Sequence, residues 1–201
     1  ATETMASSRL WNVDTGKIVA STKEGPTAVA FGAGGRVVFA GLQSSSDILF
    51  ADLSSPSGSL QRLTGNSPCW SLATSPDGGL VVGATLAGEV RVFKAATGEQ
   101  IESIHGHMGA IRNCAFSPDG RRLLSTSVGD LEGAKLWDVR TWQELLTLKG
   151  AGRGGFWTAD GDAIILGAWP GGFRPIQVDE RSQVWSAPSW EEIAAAEAKQ
   201  R

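Results

Sequence analysis

Two markers recur along this chain at one interval. The first is a turn, FGAGG at 31–35, TSPDG at 74–78, FSPDG at 116–120 and WTADG at 157–161, whose first residues stand 43, 42 and 41 positions apart. The second is an aromatic residue after each turn: Phe50, Phe93, Trp137 and Trp185, with an earlier copy at Trp11. Two independent markers with one period restrict the chain to a repeat architecture, in which each short unit buries its apolar surface by stacking on its neighbours.

The clearest unit is residues 105–150, HGHMGAIRNCAFSPDGRRLLSTSVGDLEGAKLWDVRTWQELLTLKG. In Ser117-Pro118-Asp119-Gly120, Pro118 presets φ for the first corner, Asp119 tolerates the second, and Gly120 takes positive φ. Apolar runs flank this turn, AIRNCAF before it and RRLLSTS after it. AKLWDV and ELLTLK supply a third and a fourth strand. Neighbouring units place Gly at the tight position of the third-to-fourth turn, in Asp14-Thr15-Gly16-Lys17 and Ala96-Thr97-Gly98-Glu99. A four-stranded antiparallel sheet of this size cannot bury both faces alone, and radial stacking of copies buries them, so the unit reads as a propeller blade.

The combination of Gly106-His107, the FSPDG turn and Leu136-Trp137-Asp138 resembles the WD-repeat β-propeller family, and the resemblance covers nearly the whole chain. It implies an all-β fold of four-stranded antiparallel blades, with four to five blades' worth of a seven-bladed ring. The units fall at about 1–20 (partial), 21–64, 65–106, 107–150 and 151–188. The resemblance further implies a structural network of His107, Ser125 or Ser127, Asp130 and Trp137 within one blade. Asp130 stands one residue further from the Trp than the family spacing, and GDLEGA reads as a loop insertion. The other units depart from the pattern: Phe50-Ala51-Asp52 replaces Trp-Asp, Lys94 replaces the Asp, and no His precedes Trp70. These blades are expected to rely on apolar burial. Residues 189–201 form a short C-terminal helix in this reading, capped by Ser189 with Glu192 three residues on. The ending VWSAPSWEEIAAAEA resembles the C-termini of bacterial WD-repeat proteins, many of them tails of multidomain chains that include eukaryotic-like Ser/Thr kinases.

Composition narrows the function classes. The 26 glycines and 8 prolines suit many turns. A formal charge of −3 argues against nucleic acid or an anionic membrane surface as the main partner. No apolar run reaches the length needed for membrane insertion. Cys69 and Cys114 lie in apolar runs and read as buried thiols, which fits a reducing, cytoplasmic setting. The chain begins in mid-repeat without an initiating Met, so it reads as part of a longer chain, as one that pairs with a second chain to complete a ring, or as an open or small self-closed arc.

Each candidate chemistry has a plainer explanation. His105 and His107 lack Cys or carboxylate neighbours at metal-ligand spacing, so no metal site is expected. Ser125, His107 and Asp130 could form a nucleophilic triad, but the blade network explains them better. The Gly-rich segments at 32–35 and 152–155 are not followed by Lys-Ser/Thr and a helix, so they are turns and not phosphate loops. The kinase motifs are not found in this sequence. No catalytic or cofactor-binding residue is expected, and no cofactor.

What remains is an interaction surface. Loops joining successive blades and loops between second and third strands share one rim. The rim candidates are Met108, Asp130, Glu132, Arg153, Trp169, Phe173 and Arg174. Trp169, Phe173 and Arg174 lie on or beside the breaker-rich loop PGGFRP and match the composition of binding hot spots. Arg112 and Arg153, near strand starts, are placed to line the mouth of the central channel. The expected function is a non-catalytic scaffold for a protein or peptide. The alternative is a regulatory C-terminal propeller of a signalling enzyme such as a Ser/Thr kinase.

Overall fold

The structure is a computed structural model. It describes residues 8–11, 14–22, 25–32, 36–40, 45–52, 60–128, 133–149, 154–167 and 183–186. The expected helix at 189–201 lies outside the described residues.

The described residues form seventeen strands in five antiparallel sheets, in chain order. A two-stranded sheet pairs β1 (Ser8–Trp11) with β2 (Ile18–Thr22). The second sheet has β3 (Val29–Gly32), β4 (Arg36–Ala40), β5 (Ile48–Asp52) and β6 (Leu60–Leu63). The third has β7 (Cys69–Thr74), β8 (Leu80–Thr85), β9 (Glu89–Lys94) and β10 (Gln100–His105). The fourth has β11 (Ile111–Phe116), β12 (Arg122–Ser127), β13 (Ala134–Asp138) and β14 (Glu144–Leu148). The last sheet has β15 (Gly154–Trp157), β16 (Ala163–Gly167) and β17 (Gln183–Ser186). Within each sheet every strand pairs with the next in sequence.

Register explains why the aromatic marker survives uneven spacing. Phe50, Phe93, Trp137 and Trp185 each sit opposite the equivalent second-strand residue: Val38, Val81, Leu123 and Ile164. Because side chains alternate with period two, a fixed register keeps the marker on one face of its sheet. Changes in loop length do not reach it.

Apolar residues of successive sheets then meet. Ala30, Ile48 and Phe50 of the second sheet cluster with Cys69, Val81 and Phe93 of the third. Val82, Val90 and Val92, on the other face of the third sheet, cluster with Ile111, Cys114, Leu123 and Trp137 of the fourth. Leu124, Leu136 and Leu148 meet Ile164 and Leu166 of the last sheet. Val81 and Val82 thus serve opposite interfaces, as adjacent positions of a strand must. This is face-to-face stacking of small sheets, the β-propeller arrangement.

The first strands of the sheets lie side by side and carry the repeat period as hydrogen bonds. Thr27 Oγ1 donates to the Cys69 carbonyl at 2.6 Å, 42 positions on. Cys114 N donates to Ser71 Oγ at 3.3 Å across 43 positions. Gly155 N donates to Asn113 Oδ1 at 3.3 Å, and Trp157 Nε1 to the Ala115 carbonyl at 3.1 Å, each across 42.

The SPDG-type turns fold as the sequence dictates, with one addition. Gly78, Gly120 and Gly161 have φ of 70°, 71° and 80°. The residue opening each turn also contributes its hydroxyl. Ser75, Ser117 and Thr158 each donate to the turn Asp (Asp77, Asp119, Asp160) and each accept a backbone N–H at 2.9 Å, from Leu80, Arg122 and Ala163. A Ser or Thr here closes the turn from inside. Turns of successive sheets touch: a Cβ built on Gly120 would stand 3.4 Å from Pro76 Cδ, and one on Gly161 3.3 Å from Pro118 Cδ.

Candidate functional site

The fourth sheet contains the polar network. His107 Nε2 and Ser125 Oγ are 2.7 Å apart, and Trp137 Nε1 donates to the same Ser125 oxygen at 2.8 Å. All three are buried, Ser125 completely. The imidazole meets the indole edge-on, with ring centroids 6.4 Å apart at 63°. Buried imidazole and indole nitrogens need partners, and one hydroxyl satisfies both. Gly106 is required for contact of another kind, because a Cβ there would overlap the Trp137 ring. The network selects Ser125 over Ser127: Ser127 is buried, but its hydroxyl has no hydrogen-bond partner among the described residues. Asp130 lies outside the described residues.

The network fixes the loop that carries His107. His107 N donates to Gly88 O at 3.3 Å and Val128 N to Ala110 O at 2.9 Å. Leu86 N donates to Pro68 O at 3.0 Å and Ala87 N to Ser67 Oγ at 3.1 Å. Loops 64–68, 86–88 and 106–110 therefore form one stitched rim, as antiparallel topology requires. Met108 stands on it, 89% exposed, between His107 and Gly109. His105 ends β10 and is exposed. Of the other expected rim residues, Asp130, Glu132, Arg153, Trp169, Phe173 and Arg174 lie outside the described residues.

Arg112 is described, and it has a neighbour that sequence reasoning missed. Its guanidinium carbon lies 4.6 Å from the centroid of the Trp70 ring. Both residues are half-buried and sit where strand register shifts, Trp70 between Cys69 and Ser71 and Arg112 between Ile111 and Asn113. The signal was present: Trp70 and Arg112 occupy the same place in successive repeats.

The third sheet solves the burial problem differently. Gly65, Gly83 and Phe93 occupy the positions of His107, Ser125 and Trp137. Arg91 fills the space. It stands 5.0 Å from the Phe93 centroid, donates through Nε to Gln100 Oε1 and through Nη2 to Thr64 O, each at 2.9 Å. Reading this blade as purely apolar therefore needs amending, because a buried guanidinium replaces the imidazole.

These groups have little chemical reactivity. Ser125 is fully buried, and its oxygen accepts a hydrogen bond from the indole N–H. Both cysteines are free and buried. Burial pushes the Cys69 thiol far up and the Cys114 thiol up to about 11, which suppresses thiolate formation.

Comparison with known proteins agrees with this geometry. Residues 98–138 match the family model "WD domain, G-beta repeat". That span runs from the end of one sheet's third-to-fourth turn through β10 and then β11–β13 of the next, so the matched unit bridges two blades. The chain is 27% identical over 144 residues to nuclear distribution protein PAC1 of Arthroderma benhamiae, covering 65% of this chain and 31% of that protein. It is 31% identical over 136 residues to WD repeat-containing protein SL1-17 of Schistosoma mansoni, covering 65% and 43%. The chain thus spans less than half the length of these relatives. Among solved structures, hydrazine synthase of Kuenenia stuttgartiensis superposes with a TM-score of 0.63 at 16% identity, over 74% of this chain and 44% of that one. The fold is a β-propeller arrangement of blades, residues 98–138 are a WD repeat, and the relatives support a WD-repeat affiliation for the chain.

Proposed function

We propose that this chain is a non-catalytic scaffold that holds a protein or peptide on the rim of loops 64–68, 86–88 and 106–110. WD-repeat proteins generally bind protein partners. The observation that carries the reading is Met108. An apolar side chain 89% exposed to water is held on a loop locked by the His107–Ser125–Trp137 network. A rigid rim presents such a contact at low entropic cost to a partner. Asp130, Glu132, Arg153, Trp169, Phe173 and Arg174 complete the proposed surface.

The test is capture of short displayed peptides by the immobilised full chain. Met108→Asp is expected to abolish enrichment, and the pair Trp169→Ala and Phe173→Ala to weaken it. Unchanged capture by all three variants would sink the site assignment.

The proposal includes completion of the ring by further blades, from a longer chain or a second chain. Phe31 on β3 and Phe156 on β15 support it, with 61% and 49% of their surface exposed on the first strands of the second and last sheets. Sedimentation of the chain in solution checks self-association: a strict monomer excludes ring completion by a second copy, and a dimer supports it. A cytoplasmic setting is proposed on the two unpaired thiols. In the alternative role, as the regulatory tail of a bacterial signalling enzyme such as a Ser/Thr kinase, the same rim does the binding. The coding sequence upstream of Ala1 separates the two.

A further inference from the structure

We propose that Trp70 and Arg112 form a carboxylate-binding subsite that takes an Asp or Glu side chain of an acidic peptide. This rests on the peptide-scaffold reading above and assigns that ligand a chemistry. Three observations support it. First, the guanidinium carbon lies over the indole, 4.6 Å from the ring centroid, so one side of the group is occupied. Second, among the described residues Arg112 makes no ion pair and no hydrogen bond, although it is half-buried. By comparison, Arg91 donates through Nε to Gln100 and through Nη2 to Thr64, and Lys135 donates to Glu144 and Thr147. Third, equivalent β-bulges at Trp70 and Arg112 interrupt the ladder in both first strands. Bulges re-aim side chains and are frequent beside binding sites.

The chemistry follows from what is left. A guanidinium over an aromatic ring keeps its N–H donors in its own plane, at its edges, a fork that matches a carboxylate in two parallel hydrogen bonds. The residues begin β7 and β11, the ends from which loops 64–68 and 106–110 lead, so the subsite adjoins the rim that carries Met108. A peptide lying across that rim would meet an apolar contact and a cation together. The chain carries a formal charge of −3, so attraction for an acidic ligand must be local to this pair.

A thermodynamic cycle tests the assignment. Short random peptides displayed on phage are panned against the full chain, and an enriched peptide is synthesised with its acidic residue intact and as the Glu→Gln or Asp→Asn form. On the wild-type chain the amide form is expected to bind about tenfold more weakly. On Arg112→Gln the two forms should bind within about twofold of each other, because the partner of the carboxylate is gone. Arg112→Lys, which keeps the charge but not the fork, should give an intermediate ratio; it also carries the comparison if Arg112→Gln fails to fold. A purely structural role for the stack would lower stability in these variants without altering the acid-to-amide ratio. An equal penalty in wild type and Arg112→Gln would overturn the subsite, as would enriched peptides without acidic residues. If no peptide is enriched, the scaffold reading itself fails.

Discussion

Arg91 and Gly65 divide one buried space between them: the guanidinium of Arg91 stands where a side chain on Gly65 would begin. A Cβ on Gly65 would overlap Arg91 Nη1 and lie 2.6 Å from the Ser46 carbonyl oxygen. In the next sheet the equivalent of Gly65 is His107, whose imidazole fills the corresponding place. Gly65→Ala is therefore expected to cost about 1–3 kcal/mol by overfilling. In an Arg91→Ala background the same change should cost less, because the overlap with Nη1 is removed while the contact with the Ser46 carbonyl remains. Urea unfolding of the four variants measures both, and additive costs would show that the two residues do not compete.

The shared hydroxyl of Ser125 makes a second prediction. Ser125→Ala leaves both Trp137 Nε1 and His107 Nε2 without their common partner. The expected cost is about 2–6 kcal/mol, from two buried nitrogens at roughly 1–3 kcal/mol each. Ser127→Ala, two residues along the same strand, should cost less than about 1 kcal/mol, since its hydroxyl has no hydrogen-bond partner among the described residues. Equal losses would mean that the network runs through Ser127 after all.

The turns predict a response to acid. The Ser75 hydroxyl and then Gly79 N hold the Asp77 carboxyl below its ordinary range, and Thr158 and Asp162 N do so for Asp160. For Asp119, burial pushes upward, but Ser117, Arg121 N and the neighbouring arginines outweigh it. Thr141 N, followed by the Thr141 hydroxyl and Arg140 N, lowers Asp138. A carboxyl depressed in the folded state adds stability that is complete above its unfolded value, about pH 3.9. That stability is lost as pH falls through the lower folded value. Stability should thus be flat in these groups near neutrality and decline below about pH 4. An Asp77→Asn, Asp119→Asn, Asp160→Asn chain should show a shallower acid decline in thermal melts, and an unchanged slope would dismiss the turns as its source.

Trp142 occupies a backbone conformation that its neighbours give to glycine. Its φ is 56°, while Gly98 and Gly16 have 72° and 64° in the corresponding turns. The indole is half-buried against the cluster that includes Val92 and Trp137. Trp142→Gly would relieve roughly 1 kcal/mol of backbone strain and lose about 1.5–3 kcal/mol of apolar burial. Net destabilisation of about 0.5–2 kcal/mol is expected from denaturant midpoints. A gain in stability would show that strain outweighs the contact.

The legible part of the fold was the part written in backbone chemistry. Gly120, Pro118 and the alternating apolar strands specify turns and sheets from local preference alone, and the spacing of the turns specifies stacking. His107 and Trp137 were readable because both carry buried N–H groups that need a partner. Arg91 was not, since nothing local distinguishes a buried arginine from a surface one; only the missing side chain of Gly65, in the loop before β7, makes room for it. The Ser75, Ser117 and Thr158 hydroxyls were visible as residues but not as acceptors, because their role depends on a backbone N–H five positions away. Pairing of Trp70 with Arg112 needs the lateral alignment of two sheets, and a period measured along the chain implies this without stating it.

The bonds that cross between sheets at offsets of 42 and 43 residues also separate two kinds of inheritance. Register belongs to the first strands and their neighbours, so it does not depend on how many residues a rim loop contains. The intervals between Phe50, Phe93, Trp137 and Trp185 already vary from 43 to 48 positions while their pairing with the second strand stays constant. A lineage carrying this fold can therefore lengthen, shorten or exchange its rim loops and change what it recognises, while the scaffold beneath needs no compensating substitution.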